Sequence, residues 1–249
     1  MRLRLFRNAT QRLRYAGREL LLDPYFAPKH SRPSYAGRSP NPLVELPCPP
    51  EEIMAGAELL IISHLHSDHY DPEAQRLLPK DLPVLCQPGD EETLRSHGFA
   101  SVTPVAETLV WQGITLTRTP GQHGTGAERE QMGPVSGFVF QAPGEPTLYW
   151  TGDTILYEPV QQTIERFLPD VIVTHSSGAL WQGDGPIVMD AAQTLAVCRA
   201  APAGRIVAIH LDSLDHGEVS REDLRAQARA AGIPDSQLLI PADGESLEL

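Results

Sequence analysis

The sequence predicts an α/β fold in which short buried strands alternate with helices. Continuous apolar runs at residues 59–62, 171–174 and 206–209 are typical of strands that are buried on both faces, as in parallel sheets. The segments 190–199 and 221–231, which follow two of these runs, have helical patterns. The chain has 249 residues and no long polar linker or repeat, so we expect one domain over residues 1–249.

The first half of the chain begins with strands and a long loop. Residues 2–23 alternate apolar and polar around Ala16-Gly17, which predicts a hairpin. Residues 27–50 are rich in Pro, Ser and Gly, and a loop of this length often lies over a functional site. Further along we expect a strand at 59–62, a helix entered at Asp71-Pro72, a strand at 84–86 and a helix over 91–97.

The second half contains strand pairs and then strands separated by helices. Alternation predicts two strands over 108–119 that turn at Gln112-Gly113, and another pair at 135–141 and 147–151. Asp243-Gly244 lies between the apolar segments 238–240 and 247–249, so a closing hairpin is expected there.

Composition restricts the class of protein. The formal net charge of −12 argues against a broad phosphate-binding surface, so no nucleic-acid partner is expected. The chain shows no apolar export segment and no run long enough for a membrane span. Three widely spaced cysteines, Cys48, Cys86 and Cys198, favour free thiols in a reducing compartment, so we expect a cytoplasmic protein. No pattern indicates an oligomeric state.

Residues 63–71 carry three histidines and two aspartates directly after an apolar run, which indicates a metal site. Imidazole and carboxylate groups suit zinc, iron and manganese. His64 and His66 are two residues apart, so they would point away from each other on a helix but can share an ion on an irregular loop. Solvated surface histidines are the alternative, and the density of the motif disfavours it.

Other candidate ligands follow predicted strands elsewhere in the chain. His123 follows the strand that ends at 119, Asp153 follows 148–150, His175 follows 171–173 and His210 follows 206–209. Strand ends of this kind converge on one edge of an α/β sheet, where ligands bind. We therefore expect these side chains to lie close to the 63–71 segment.

The motif His64-Leu65-His66-Ser67-Asp68-His69, followed in order by His123, Asp153 and His210, resembles the metallo-β-lactamase superfamily. Asp23-Pro24 and the segment 241–245 also look like its bacterial members, in the branch that contains ascorbate-6-phosphate lactonase and N-acylphosphatidylethanolamine phospholipase D. The resemblance implies an αββα sandwich, in which two mixed sheets face each other, helices cover both outer faces and the site lies at one edge.

The resemblance also implies a ligand set for two divalent metal ions about 3.5–4 Å apart. One ion would be held by His64, His66 and His123. The other would be held by Asp68, His69 and His210, with Asp153 bridging both. Zinc is favoured over manganese or iron.

The predicted function is hydrolysis of a small molecule, with a phosphodiester, lactone or ester bond attacked by a metal-bridging hydroxide. Two cations lower the pKa of a shared water toward neutrality, and the positive site stabilises an oxyanion. β-Lactam hydrolysis is disfavoured because no export signal is seen. The alternatives are a nuclease of the same superfamily, which the acidic charge disfavours, an iron-dependent oxidoreductase on the same fold, and a non-catalytic scaffold.

Candidate catalytic residues are Asp68, His175 and His216. His175 is expected to face the site, where it contacts substrate or a metal ligand, or packs. The same alternatives hold for His216, which is near His210 in sequence. Trp181 and Met132 lie in long loops, 176–190 and 121–136, that could roof the pocket, and simple packing is an equal alternative.

Overall fold

The computed structural model describes residues 1–182 and 185–249. These residues form two seven-stranded sheets, each with antiparallel pairs at one end and parallel pairs at the other. The first sheet has the order β14-β1-β2-β3-β4-β5-β6, where the strands are β1 (Arg2–Arg7), β2 (Thr10–Tyr15), β3 (Arg18–Leu22), β4 (Leu59–Ile62), β5 (Val84–Cys86), β6 (Val102–Pro104) and β14 (Ser246–Glu248).

The second sheet repeats this arrangement with the later strands. Its order is β13-β12-β11-β10-β9-β8-β7, with parallel pairing from β10 to β13 and antiparallel pairing from β7 to β10. The strands are β7 (Thr108–Trp111), β8 (Ile114–Pro120), β9 (Ser136–Gln141), β10 (Leu148–Trp150), β11 (Val171–His175), β12 (Arg205–Ile209) and β13 (Leu238–Leu239).

Helices cover the outer face of each sheet. The first sheet packs against α1 (Pro50–Met54), α2 (Pro72–Leu77) and α3 (Glu91–Ser96), and the second packs against α5 (Glu158–Phe167), α6 (Ala191–Ala200) and α7 (Arg221–Ala230). The short helix α4 (Gly126–Met132) contributes no buried residue to these layers. Among residues 1–182 and 185–249, no helix has both the length and the apolar character needed to cross a membrane.

The main core lies between the two sheets. Leu20 and Ile61 of the first sheet belong to one buried cluster with Phe138 and Trp150 of the second. Alternate residues of the same strands face outward, so Leu60 packs under the helices instead. Because each central strand is apolar on both faces, it is buried on both sides, and the chain forms the four layers of an αββα sandwich. The expected fold class is confirmed.

Two expectations about hairpins are corrected by the pairing. Residues 2–23 form three strands, because the chain turns at Asn8-Ala9 as well as at Ala16-Gly17. The closing hairpin is wrong: β13 pairs with β12 and β14 pairs with β1, so the two segments join different sheets. Gly244 donates its backbone N–H to the Leu5 carbonyl, which fixes the turn to the first sheet instead of closing a local ladder.

Candidate metal centre

The predicted ligands meet at one edge of the two sheets. Residues 63–71 form the loop after β4 of the first sheet, whereas His123, Asp153 and His210 follow β8, β10 and β12 of the second. Local backbone features support these positions. Gly152 has φ of 64°, and a Cβ there would collide with the Ser136 carbonyl oxygen, so glycine lets the chain turn tightly before Asp153. His210 itself adopts φ of 65°, a strained conformation for a residue with a side chain.

One group of donors is formed by imidazoles alone. Its members, whose ligand atoms all lie within 4.8 Å of one another, are His64, His66 and His123. The Ser63 hydroxyl donates to Asp23 Oδ2 at 2.6 Å, and its oxygen can therefore accept from His64 Nδ1 at 2.9 Å. His123 Nδ1 donates to the Ile187 carbonyl at 2.7 Å. In both rings the outer nitrogen carries the proton, which leaves Nε2 with a lone pair for a cation.

The second group combines imidazoles with carboxylates. His69 Nδ1 donates to Asp23 Oδ2 at 2.7 Å, so its Nε2 is also directed inward. That Nε2 lies 3.1 Å from Asp153 Oδ2 and 3.4 Å from Asp68 Oδ2. His210 Nε2 lies 3.2 Å from the same Asp68 oxygen. These donors form a second compact cluster beside the first.

The spacing of the donors fits divalent metal ions. Four ligands placed tetrahedrally at the usual zinc–nitrogen distance are about 3.4 Å apart. The His210–Asp68 contact of 3.2 Å and the contact of 3.5 Å between His123 Nε2 and Asp153 Oδ2 are close to this value. His64 Nε2 is buried and has no hydrogen-bond partner within residues 1–182 and 185–249. A buried lone pair of this kind requires a ligand, and a cation would supply it.

Burial and neighbouring groups place three of the predicted ligands in the protonation states that metals require. Burial lowers the pKa of His123 to about 4, and burial followed by the neighbouring His69 lowers the pKa of His64 well below its usual value. Although burial opposes it, the neighbouring His69 and His210 hold the pKa of Asp153 well below its usual range. Metal binding needs neutral imidazole and ionised carboxylate. His64, His123 and Asp153 meet that condition at neutral pH.

His175 lies behind Asp153 and does not line the cavity. The Trp150 indole N–H can only donate, and it does so to His175 Nε2 at 3.0 Å. The proton of the neutral ring must then be on Nδ1, which donates to Asp153 Oδ1 at 2.5 Å. Both nitrogens are therefore engaged. The sequence left open whether His175 contacts substrate, contacts a metal ligand or simply packs. Its hydrogen bond to Asp153 matches contact with a predicted metal ligand.

A cavity of about 270 Å³ opens in front of the donors. Asp68, Asp153 and His210 contribute to its polar end. His216 also lines it, with a side chain that is 6% exposed and a buried Nδ1 that has no partner in the described parts of the chain. The rest of the lining is mainly apolar and aromatic, and it includes Trp181 and Met132 as the loop positions suggested.

Several residues that hold the site were not identified from the sequence. Asp23 accepts hydrogen bonds from Ser63 and His69 and is fully buried, with φ of 43°. Asn8 Nδ2 donates to the Asp68 carbonyl at 3.0 Å, and the Asn8 carbonyl accepts from the His210 backbone N–H at 3.1 Å. The available sequence signal was that Asp23 is a single carboxylate at the end of the apolar run Leu20-Leu21-Leu22.

Solved structures with this fold identify the class of protein. A possible metal-dependent hydrolase from Veillonella parvula aligns with a TM-score of 0.96 and 32% identity over 100% of this chain and 99% of its own. An isothiocyanate hydrolase from Delia radicum gut bacteria aligns with a TM-score of 0.95 and 35% identity over 100% and 99% of the two chains. With its donor clusters at the sheet edge, the protein is a metal-dependent hydrolase with the metallo-β-lactamase fold.

Sequence comparison specifies the family. Residues 18–211 match the model of the β-lactamase superfamily domain. The UPF0173 protein YddR of Bacillus subtilis is 34% identical over 252 residues, which cover 99% of each chain. A UPF0173 metal-dependent hydrolase of Xanthobacter autotrophicus is 26% identical over 100% of this chain and 98% of its own. The chain belongs to the β-lactamase superfamily, among the UPF0173 proteins.

Proposed function

We propose that this protein is a dinuclear metal-dependent hydrolase of a small, uncharged electrophile. The position of Asp153 carries the proposal. Its Oδ2 lies 3.5 Å from His123 Nε2, in the all-imidazole group, and 3.1 Å from His69 Nε2, in the mixed group. A ligand that two cations share must lie between their two donor groups, and the Asp153 carboxylate does so. This supports the division of ligands that the sequence resemblance implied.

The chemistry at this site would depend on the cations and on the residues around them. Two divalent cations bound here would acidify a water and stabilise the negative charge that develops during attack. His175 would hold Asp153 in its shared position through the Nδ1–H bond. His216 would offer its unpartnered nitrogen to the substrate, and Asp68 would hold a cation beside the cavity. We therefore assign His216 to substrate contact, His175 to positioning and Asp68 to metal binding.

Isothiocyanates are the substrate class that we propose first. The solved structure at 35% identity over the full chain is named an isothiocyanate hydrolase. The cavity is consistent with such a substrate, since its lining among the described residues contains no lysine or arginine to pair with an anionic group. Phosphodiester, lactone and ester substrates stay predictions from the sequence.

The proposed reaction consumes one water. The water oxygen forms a bond to the central carbon of R–N=C=S. The bond between that carbon and nitrogen then breaks, and nitrogen takes both protons of the water. The products are the amine R–NH2 and carbonyl sulfide, so atoms balance and no oxidant or reductant is needed. The reaction can be followed by release of the amine.

The test combines metal content with activity. We expect two divalent ions per chain in the wild type and release of amine from isothiocyanates by the zinc- or manganese-loaded protein. Asp153→Ala should lose at least one ion and lower kcat/KM by more than about 1000-fold, because it removes the shared ligand. Asp235→Ala, which changes a surface carboxylate paired with Arg225 and Arg229, is the matched control and should keep both properties. One redox-active iron per chain, or an active Asp153→Ala protein, would refute the proposal.

A further inference from the structure

Part of the cavity lining forms an apolar wall beside the donor clusters. We define this apolar wall as Tyr35, Met132, Trp181 and Ile187. It is built from three separate segments, since Tyr35 belongs to the 27–50 loop, Met132 ends α4, and the other two come from the loop after β11. The Tyr35 and Trp181 rings meet edge to face, with centroids 6.2 Å apart and planes at 68°.

The side-chain polar atoms of this wall are already engaged in hydrogen bonds with Ser67 and Gln131, which also line the cavity. The Tyr35 hydroxyl is hydrogen-bonded to Ser67 Oγ at 2.7 Å, and the Trp181 indole N–H donates to Gln131 Oε1 at 3.2 Å. The Tyr35 backbone N–H donates to Asp215 Oδ1 at 2.9 Å. What remains for a ligand is hydrocarbon and ring surface. Aromatic rings recognise other rings through edge-to-face and offset contacts.

The wall is distinct from the structural cores. Trp181 and Met132 pack with a small cluster formed by Ala179, Ile187 and Val188, which is separate from the core between the sheets. Both rings of the wall remain partly exposed. Apolar surface that borders a reactive centre and is separate from the main core is the usual lining of a ligand pocket.

From this geometry we infer that the apolar wall is the specificity-determining surface of the site and selects substrates that carry an aromatic ring on a short linker. The inference rests on the proposed function for the reacting group, but the wall acts on the substituent. A volume of about 270 Å³ corresponds to roughly nine water volumes, which fits a benzyl-sized molecule and leaves a short alkyl substrate loosely held. Trp181 supplies the largest ring and is the principal determinant.

The first measurement compares benzyl and methyl isothiocyanate. We expect wild-type kcat/KM to favour the benzyl compound, and Trp181→Ala to reduce that preference by about tenfold while the metal content stays unchanged. Trp181→Leu keeps an apolar side chain, so its preference for the benzyl compound should lie between those of the wild type and Trp181→Ala. Leu180→Ala is the matched control, because Leu180 is adjacent, 36% exposed and absent from the lining of the cavity.

A second measurement does not depend on the reaction. Thiols bind divalent zinc, so the affinities of benzyl mercaptan and ethanethiol for the zinc-loaded protein can be compared by calorimetry. The benzyl preference should fall by about tenfold in Trp181→Ala and stay unchanged in Leu180→Ala.

The two measurements separate the possible failures. If no isothiocyanate is hydrolysed but Trp181→Ala still loses its preference for benzyl mercaptan, the proposed substrate is wrong and the wall is supported. If Trp181→Ala and Trp181→Leu keep the wild-type thiol preference with full metal content, the wall does not determine specificity and the inference is overturned.

Discussion

At the residue scale, the site depends on which nitrogen of each imidazole carries the proton. His64, His69 and His123 each direct Nδ1 to an oxygen outside the donor clusters, so Nε2 is left for a cation. His175 and Trp150 have a similar effect on a carboxylate ligand. The Trp150 indole N–H donates to His175 Nε2, so the proton of His175 is on Nδ1, and this N–H orients Asp153. Partners of this kind raise metal affinity because they hold the ligand in its binding geometry before the ion arrives.

His175→Phe should therefore weaken metal binding even though His175 is not assigned as a ligand. The change removes the hydrogen bond to Asp153 Oδ1 and leaves the Trp150 indole N–H unpaired in a fully buried position. We expect the affinity of at least one ion to fall about 10- to 100-fold, as measured by competition with a chromophoric chelator.

Trp150→Phe serves as the matched comparison for this change. It removes the indole donor but leaves the His175 bond to Asp153 possible, so metal affinity should fall less than in His175→Phe. Unchanged affinity in His175→Phe, with a normal circular dichroism spectrum, would show that the bond to Asp153 has no positioning role.

At the scale of elements, the 27–50 loop is attached to the segment after β12 mainly through the carboxylate of Asp215. Asp215 accepts hydrogen bonds from the backbone N–H groups of Tyr35, Ala36 and Arg38 and from the side chain of Asn41. Although burial opposes it, the Ser34 hydroxyl, which also donates to this carboxylate, and the donors of Tyr35, Asn41 and Ala36 lower the pKa of Asp215. The loop that presents Tyr35 to the cavity is thus held by a buried charge next to His216.

Asp215→Asn should destabilise the protein by about 2–3 kcal/mol at neutral pH, because an amide is a weaker acceptor for these donors. The pKa of Asp215 is lower in the folded state than its unfolded value of about 3.9. Its contribution to stability is therefore complete above that value and is lost as the pH falls below it. The difference in unfolding free energy between wild type and variant, from urea titrations, should shrink below about pH 4.

Glu218→Gln is the control for the Asp215 experiment. Glu218 holds the same loop through an exposed ion pair with Arg38, which contributes little because both groups are solvated. If the two variants had equal effects at pH 7, the loop would not depend on the buried carboxylate.

Local sequence patterns predicted the positions of strands well, because a strand's position depends on the residues within it. The runs at 59–62 and 206–209 are strands because their residues are apolar on both faces, and their ends locate His64 and His210 correctly. The pairing of β13 and β14 with different sheets could not be predicted, since the turn at Asp243-Gly244 carries no information about distant strands. Asp23 was noted only as part of the family resemblance. Its role was missed for the same reason, because that role depends on a loop about forty residues away.

At the scale of the whole molecule, the candidate metal centre lies between the two sheets and takes residues from both. His64, His66, Asp68 and His69 come from the first sheet, and His123, Asp153 and His210 come from the second. Each donor cluster combines residues from both sheets. Bound cations would therefore link two layers that otherwise associate through the apolar core between them. The αββα arrangement was expected only through resemblance, because apolar periodicity does not specify which sheets face each other.

This arrangement predicts that metal removal lowers thermal stability as well as activity. An ion present at 100 times its dissociation constant stabilises the folded state by ~2.7 kcal/mol, which corresponds to roughly 5–10 °C in Tm for a chain of this size. Zinc-loaded protein should therefore melt well above protein treated with a chelator and dialysed, as measured by scanning calorimetry. In Asp153→Ala the same treatment should change Tm less, because the ligand between the two groups is absent. Equal Tm values for the zinc-loaded and stripped wild type would mean that the ions do not link the sheets, since any cation that binds the folded state alone must stabilise it.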